Sequence, residues 1–302
     1  MIGFSDPDGA PGFSSMEDLQ RFLDARAEAW NTTPQEELGE LSPEQVSSLI
    51  YSRWEENSGP IHIVKGLPLA KYEESPFFRN TRHFLQDLAA EGAVKLTATG
   101  NLPRSFVATQ AERFRDSEYH ELLQSVAKVT NERDVFYLHI SRIVSELAGV
   151  LAKRKGTLSV KKNALPLLAE SAADALAARL FLAFFRKFNL EYLTPTQFEF
   201  QGLQARLAYS FYRLQKSGCD SIPVEQLPKL LLLDPDQGLV ENFSQKLPTY
   251  WTPGKIVLHH LIEPMVCWGL VEKIQSKPTA WSETAAIRGT PLFQNIIAIH
   301  LT

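Results

Sequence analysis

Lys153, Arg154, Lys155, Lys161 and Lys162 place five cations within ten residues, with no acid among them. Lysines and arginines at that density on a short turn can neutralise phosphates and release their counterions. The apolar run just before them, Phe136 to Ala148, leaves His139, Ser141, Arg142, Ser145 and Glu146 on its polar face. An arginine there could read guanine, whereas Glu146 would oppose phosphate. His139, Arg142 and Ser145 therefore join the five cations as candidate double-stranded DNA contacts. A second group is Lys255, His259, His260 and Glu263. His259 and Glu263 have the i,i+4 spacing of metal ligands on a helix, but the His-Glu-x-x-His order and a third ligand are missing. The sequence has no glycine-rich phosphate loop, nucleophile elbow or Cys-x-x-Cys, and Cys219 and Cys267 stand far apart. Asp234-Pro235-Asp236-Gln237-Gly238 lacks the remaining ligands of a calcium loop and reads as a turn. The expectation is a non-enzymatic protein with no metal and no cofactor.

The elements that must carry these residues recur along the chain. The periodicity of 136–148 predicts a helix. Two short strands follow, joined by a turn at Lys155-Gly156, and a helix enters at Ala164-Leu165-Pro166. Helix, basic-tipped hairpin and helix together resemble the back half of a winged helix-turn-helix. That resemblance implies a recognition helix over 136–148 and a wing within 149–163, with the wing on the DNA backbone. The same phrase returns near the end. Thr252-Pro253 opens a helix with Ile256, Val257, Leu261 and Met265 that ends near Trp268-Gly269. A strand follows at 270–274, another is expected from Trp281 to Ile287, and Thr290-Pro291 opens a closing helix.

A partial version lies earlier, in Ala93-Val94-Lys95-Leu96-Thr97-Ala98-Thr99-Gly100-Asn101-Leu102-Pro103. Downstream of Leu41-Ser42-Pro43-Glu44-Gln45, this stretch resembles the N-terminal part of a family of uncharacterised bacterial proteins. The resemblance covers roughly residues 40–110 and more loosely the rest, and it implies no particular activity. Only one strand fits between the preceding helix and Thr97, so no hairpin is expected there. Val160 to Pro166 repeats Thr97 to Pro103, with Asn163 in place of Gly100 as the next residue most tolerant of the left-handed region.

Helix starts are marked by the capping boxes Ser42-Pro43-Glu44-Gln45 and Thr194-Pro195-Thr196-Gln197 and by Ser75-Pro76. Met16 to Trp30 reads as a helix with Leu19, Phe22, Leu23, Ala27 and Trp30 on one stripe. Ile61 to Val64 reads as a strand, 173–188 as a central buried helix, and 221–233 as a short helix. Residues 1–60 carry twelve acids and three bases, a balance of −9 within a net charge of −4, which leaves +5 on the remainder. An acidic face could thus mask a mildly basic body.

The fold class expected is mainly α with small β-hairpins, α+β, as tandem winged-helix-like modules plus a helical layer. The divisions are an acidic helical lead-in at 1–39, a partial module at 40–115, a module with a basic wing at 116–171, a helical domain at 172–239 and a closing module at 240–302. No signal peptide or membrane-spanning stretch is legible, and free thiols fit the cytoplasm. The expected function is DNA binding, regulatory or mobile-element associated. The alternative is a protein-interaction scaffold of winged-helix modules, with Trp251 and Trp281 as candidate exposed aromatics that each read more readily as core.

Overall fold

The computed structural model describes residues 13, 15–56, 59–111, 114, 131–194, 202–276 and 283–301. Among these residues the chain is mainly helical with three small antiparallel sheets. Pro195 to Gln197 of the second capping box and Trp281 lie outside the described residues.

Local signals set the helix starts. Helix α1, Met16–Thr32, is capped by Ser15, whose hydroxyl accepts from the Asp18 N–H. Helix α2, Pro43–Tyr51, has the expected reciprocal box: Gln45 N–H donates to Ser42 Oγ at 3.2 Å, and Ser42 N–H donates to Gln45 Oε1 at 3.1 Å. Strand β1, Ile61–Ile63, and the single turn α3, Leu69–Tyr72, lead to α4, Pro76–Glu91. Ser75 caps α4, and Gly92 ends it at φ 72°.

From α4 onward two stretches of the chain form sheets of the same order. The first copy runs α4, β2 (Val94–Lys95), α5 (Arg104–Ala111), α6 (Phe136–Leu147), β3 (Leu151–Arg154) and β4 (Thr157–Val160). A long 3-10 segment, Lys162–Leu168, replaces the α-helix expected at Ala164. Pro166 inside it has no N–H to give an α-helical ladder. Helix α7, Ala173–Leu182, ends in a π-helical turn, Ala183–Lys187. The second copy runs α8 (Leu207–Lys216), β5 (Ile222–Pro223), α9 (Leu227–Leu231) and α10 (Asp234–Ser244). It continues through α11 (Pro253–Val257), a π turn (Leu258–Ile262), α12 (Glu263–Cys267), β6 (Val271–Gln275) and β7 (Thr284–Gly289). Pro264 lacks the N–H that would bond the His260 carbonyl, so the ladder widens just before it. Helix α13, Pro291–Ile296, and strand β8, Ile297–Ile299, close the chain.

Both copies form a three-stranded antiparallel sheet with the early strand against the last one: β2-β4-β3 and β5-β7-β6. Their hydrogen bonds correspond as well. Gly149 and Gly269, each at φ 72°, end the helix before the hairpin. Val150 N–H reaches Ser145 O, and Leu270 N–H reaches Met265 O. Beyond the hairpin, Lys161 N–H returns to Val150 O and Thr290 N–H to Leu270 O, both at 2.9 Å.

These pairings depart from the division read along the chain. Val94 pairs with Leu158 and Lys95 with Thr157, so the strand of the 40–115 stretch completes the hairpin of 116–171. Ile222 pairs with Ile287, so the 172–239 stretch, expected to be helical, supplies a strand to 240–302. Asp234 to Gly238, expected as a turn and boundary, is the first turn of α10. Pro235 is favoured there because its missing N–H is unpaired in any helix start, and acids favour the positive end of the dipole. Asn163 does not adopt a left-handed conformation.

One continuous interior joins the two copies. The α7 segment, expected to be central, supplies Phe181, Phe184 and Phe185, all buried. Trp54 and Phe211 pack on Phe181 from one side. Trp268 meets Phe77, Phe181 and Phe184 as well. Tilted and edge-on ring pairs add about 0.5–1.5 kcal/mol each beyond their buried area. Strands β1 and β8 pair antiparallel, Ile61 with Ile299 and Ile63 with Ile297, and so tie the stretch before the first copy to the end of the second.

Candidate nucleic-acid interface

The basic hairpin forms as expected. Leu151 to Arg154 pairs with Thr157 to Val160, and the turn sits at Lys155 (φ 48°) and Gly156 (φ 74°). Two positive φ values define a tight turn whose twist matches that of the flanking strands. Lys153, Arg154, Lys155 and Lys162 are exposed, and Lys161 is half-buried. None of the five forms an ion pair among the described residues. Leu158 and Val160 anchor the inner face of the hairpin in the core.

The sheet adds a cation that sequence reasoning passed over. Lys95 pairs with Thr157, and Thr157 pairs with Arg154, so all three share the outer face in one row. Neighbouring strands lie about 4.8 Å apart, which puts Lys95 and Arg154 roughly 10 Å apart across the sheet. The signal was the lysine of the Lys-Leu-Thr-Ala-Thr-Gly-Asn-Leu-Pro stretch, but nothing local linked it to residue 154. Gly100, at φ 79°, lies beneath Lys153: a Cβ there would come 2.8 Å from the lysine Nζ. That stretch is therefore the seat of the hairpin.

The helix before the hairpin is placed otherwise than expected. His139, Arg142 and Ser145 do not face solvent; they are 5 %, 7 % and 0 % exposed. The cause is Glu132, itself fully buried. Its Oε1 lies 2.7 Å from His139 Nδ1 and accepts from Arg142 Nε at 2.6 Å. Its Oε2 accepts the Leu102 N–H at 2.6 Å. Arg142 also donates to Glu146 at 2.7 Å. Burial pushes the Glu132 carboxyl up, but the hydrogen bonds from His139 and Leu102 and the Arg142 charge outweigh it and hold the group below its ordinary value. Ser145 Oγ is buried without a hydrogen-bond partner. Only Leu147 of α6 is exposed.

The second copy has the same sheet order and a different surface. Its described hairpin cations are paired: Lys273 with Glu263 at 3.3 Å and Arg288 with Glu272. Lys255 pairs with Glu283 at 3.2 Å. No residue from 253 to 270 is exposed. His259 stacks edge-on against half-buried Trp251, which packs on the core, in keeping with the core reading of that residue. Burial holds the His260 imidazole down at about 4, with the His259 charge adding to the effect. No group of histidines, cysteines and carboxylates that could hold a metal occurs among the described residues.

Fold and surface together define a mainly α protein with small antiparallel sheets, built from two copies of one motif of which one is cationic. A family model described as the Y4jL N-terminal domain matches residues 73–173, about a third of the chain. The match spans the first copy from the start of α4 to the start of α7 and includes the basic hairpin. Leu41 to Gln45 lies outside it. No curated protein and no solved structure matches the chain. No helix among the described residues is long and apolar enough to cross a membrane.

Proposed function

We propose that both copies are winged helices and that the chain is a non-enzymatic double-stranded DNA-binding protein, regulatory or mobile-element associated. Among the described residues the first copy runs helix, strand, helix, helix, hairpin, and in both copies the early strand lies beside the last, which supports that reading of the fold although the second copy carries three helical segments before its hairpin. The observation that carries the function is the contrast between the two hairpins. On the same three-stranded sheet order, the second hairpin's described cations are paired with acids, and the first hairpin's are not. A cation held exposed without a partner is available to a phosphate, and counterion release supplies the affinity. Lys153, Arg154 and Lys155 at the wing tip, with Lys95 across the sheet and Lys161 and Lys162 at the base of the hairpin, are the contacts. Because His139, Arg142 and Ser145 are buried, the contact is to the backbone and carries little base information.

Fluorescence anisotropy on a mixed-sequence duplex tests this. The log-log salt slope of the wild type is expected near −0.9 per phosphate neutralised. Replacing Lys153, Arg154 and Lys155 together by alanine abolishes binding at moderate salt. Absence of wild-type binding at low salt overturns the proposal. One observation favours a second reading, a protein-interaction scaffold: both helices that precede a hairpin turn their side chains inward. A stable partner that binds the triple-alanine chain as well as the wild type would support it.

A further inference from the structure

Helices α4 and α5 and strand β2 line a groove of about 850 Å³ on the first copy. Lys95, Leu96, Thr97 and Pro103 belong to its walls, so the phrase singled out in the sequence lines a cavity as well as seating the hairpin. Gln110 of α5 is also on its wall and is 0 % exposed. Its Nε2 donates to Asp87 Oδ2 at 2.7 Å. That bond fixes the amide, because turning it over would set two oxygens against each other. The Gln110 Oε1 is left buried with no hydrogen-bond partner. Such an oxygen has given up water without gaining a donor, which folded chains rarely allow. We propose that this groove binds a small primary amine carrying an apolar ring, with an amine N–H donated to Gln110 Oε1.

The walls point to that chemistry. An amide oxygen can only accept, so the ligand atom that meets it must carry hydrogen. The charged side chains on the walls are Asp87, Glu91 and Lys95. Acids outnumber bases there, which favours a cationic donor over a neutral one and disfavours an anion. Leu96, Pro103 and Phe106 supply an apolar remainder. Phe106 is half-buried, and the buried Phe84 ring meets it edge-on at 6.2 Å. A ligand ring gains by packing on such a side chain, and an ammonium gains over its face. The volume falls within the roughly 300–1,000 Å³ of sites that hold small organic molecules. The groove is joined to the basic hairpin, since Leu96 N–H donates to Gly156 O at 2.8 Å and Val94 pairs with Leu158. The assignment nevertheless rests on the groove alone and is independent of DNA binding.

Saturation-transfer NMR titrations of the full chain with phenethylamine and with phenylacetate test the site. The two probes share a ring and differ in the sign of the polar end. Phenethylamine is expected to bind with a dissociation constant of about 1 mM or below. Phenylacetate is expected to bind at least about tenfold more weakly, because it brings an acceptor to an acceptor. Gln110→Leu removes the oxygen at nearly constant volume and should weaken the amine by about tenfold or more. Ala90 is exposed on the groove wall, so Ala90→Trp fills the groove from outside the core. It should abolish amine binding and leave the melting temperature unchanged, and it decides the question if Gln110→Leu does not fold. Wild type that binds no phenethylamine overturns the proposal, and so does equal binding of the two probes. Amine binding that survives Ala90→Trp places the amine elsewhere and overturns it as well.

Discussion

Glu132 decides which way α6 faces. A buried carboxylate is costly unless its charge is met, and His139 and Arg142 of α6 and the Leu102 amide before α5 meet it. Arg142 is consumed by that arrangement and is not free to read a base. His260 is the other buried titratable group with a consequence. Its folded value near 4 lies below the roughly 6.5 of an unfolded histidine. Between those values the unfolded chain binds a proton that the folded chain refuses. The contribution is therefore complete above the unfolded value, declines as pH falls through the window, and levels off below about 4. Its size is on the order of 3 kcal/mol. Urea midpoints are expected to fall between pH 7 and pH 4.5, with a flatter slope in His260→Gln; equal slopes would show that His260 is not held neutral.

At the scale of elements, the turn of the first hairpin separates shape from charge. Lys155 occupies a left-handed position that asparagine fills at less cost. Lys155→Asn is expected to keep or slightly raise the melting temperature while making the DNA salt slope shallower by about 0.9. A large loss of stability would mean that the lysine side chain holds the turn. The hairpin, the caps of α2 and α4 and the glycine stops were legible because each depends on residues within one turn. Strand β5 was not. It is two residues long, and its partner lies more than sixty residues later. Asp234-Pro235-Asp236 was misleading for another reason: the same residues serve a turn and a helix start.

The whole molecule is one interior under two copies of a motif. Leu41, Trp54, Phe181, Phe211 and Phe293 belong to the same buried cluster although they come from the beginning, middle and end of the chain. A chain divided between 115 and 116 separates β2 from β4. The two pieces, produced separately, are expected to lose cooperative urea unfolding, whereas the intact chain shows coincident transitions by fluorescence and circular dichroism. A 116–302 piece that unfolds like the intact chain would contradict the shared sheet.

The sequence by itself determined the fold class, the basic hairpin and its turn, most helix starts and the recurrence of one phrase. All of these follow from local geometry and from periodicity, which act over a few residues. Tertiary structure alone decided that β2 and β5 complete the two sheets, that Lys95 joins the row of Arg154, that α6 turns His139 and Arg142 inward, and that no residue of the α1 stripe is buried. Which face of a helix is buried depends on what the rest of the chain brings against it, and amphipathic spacing marks a face without naming its partner.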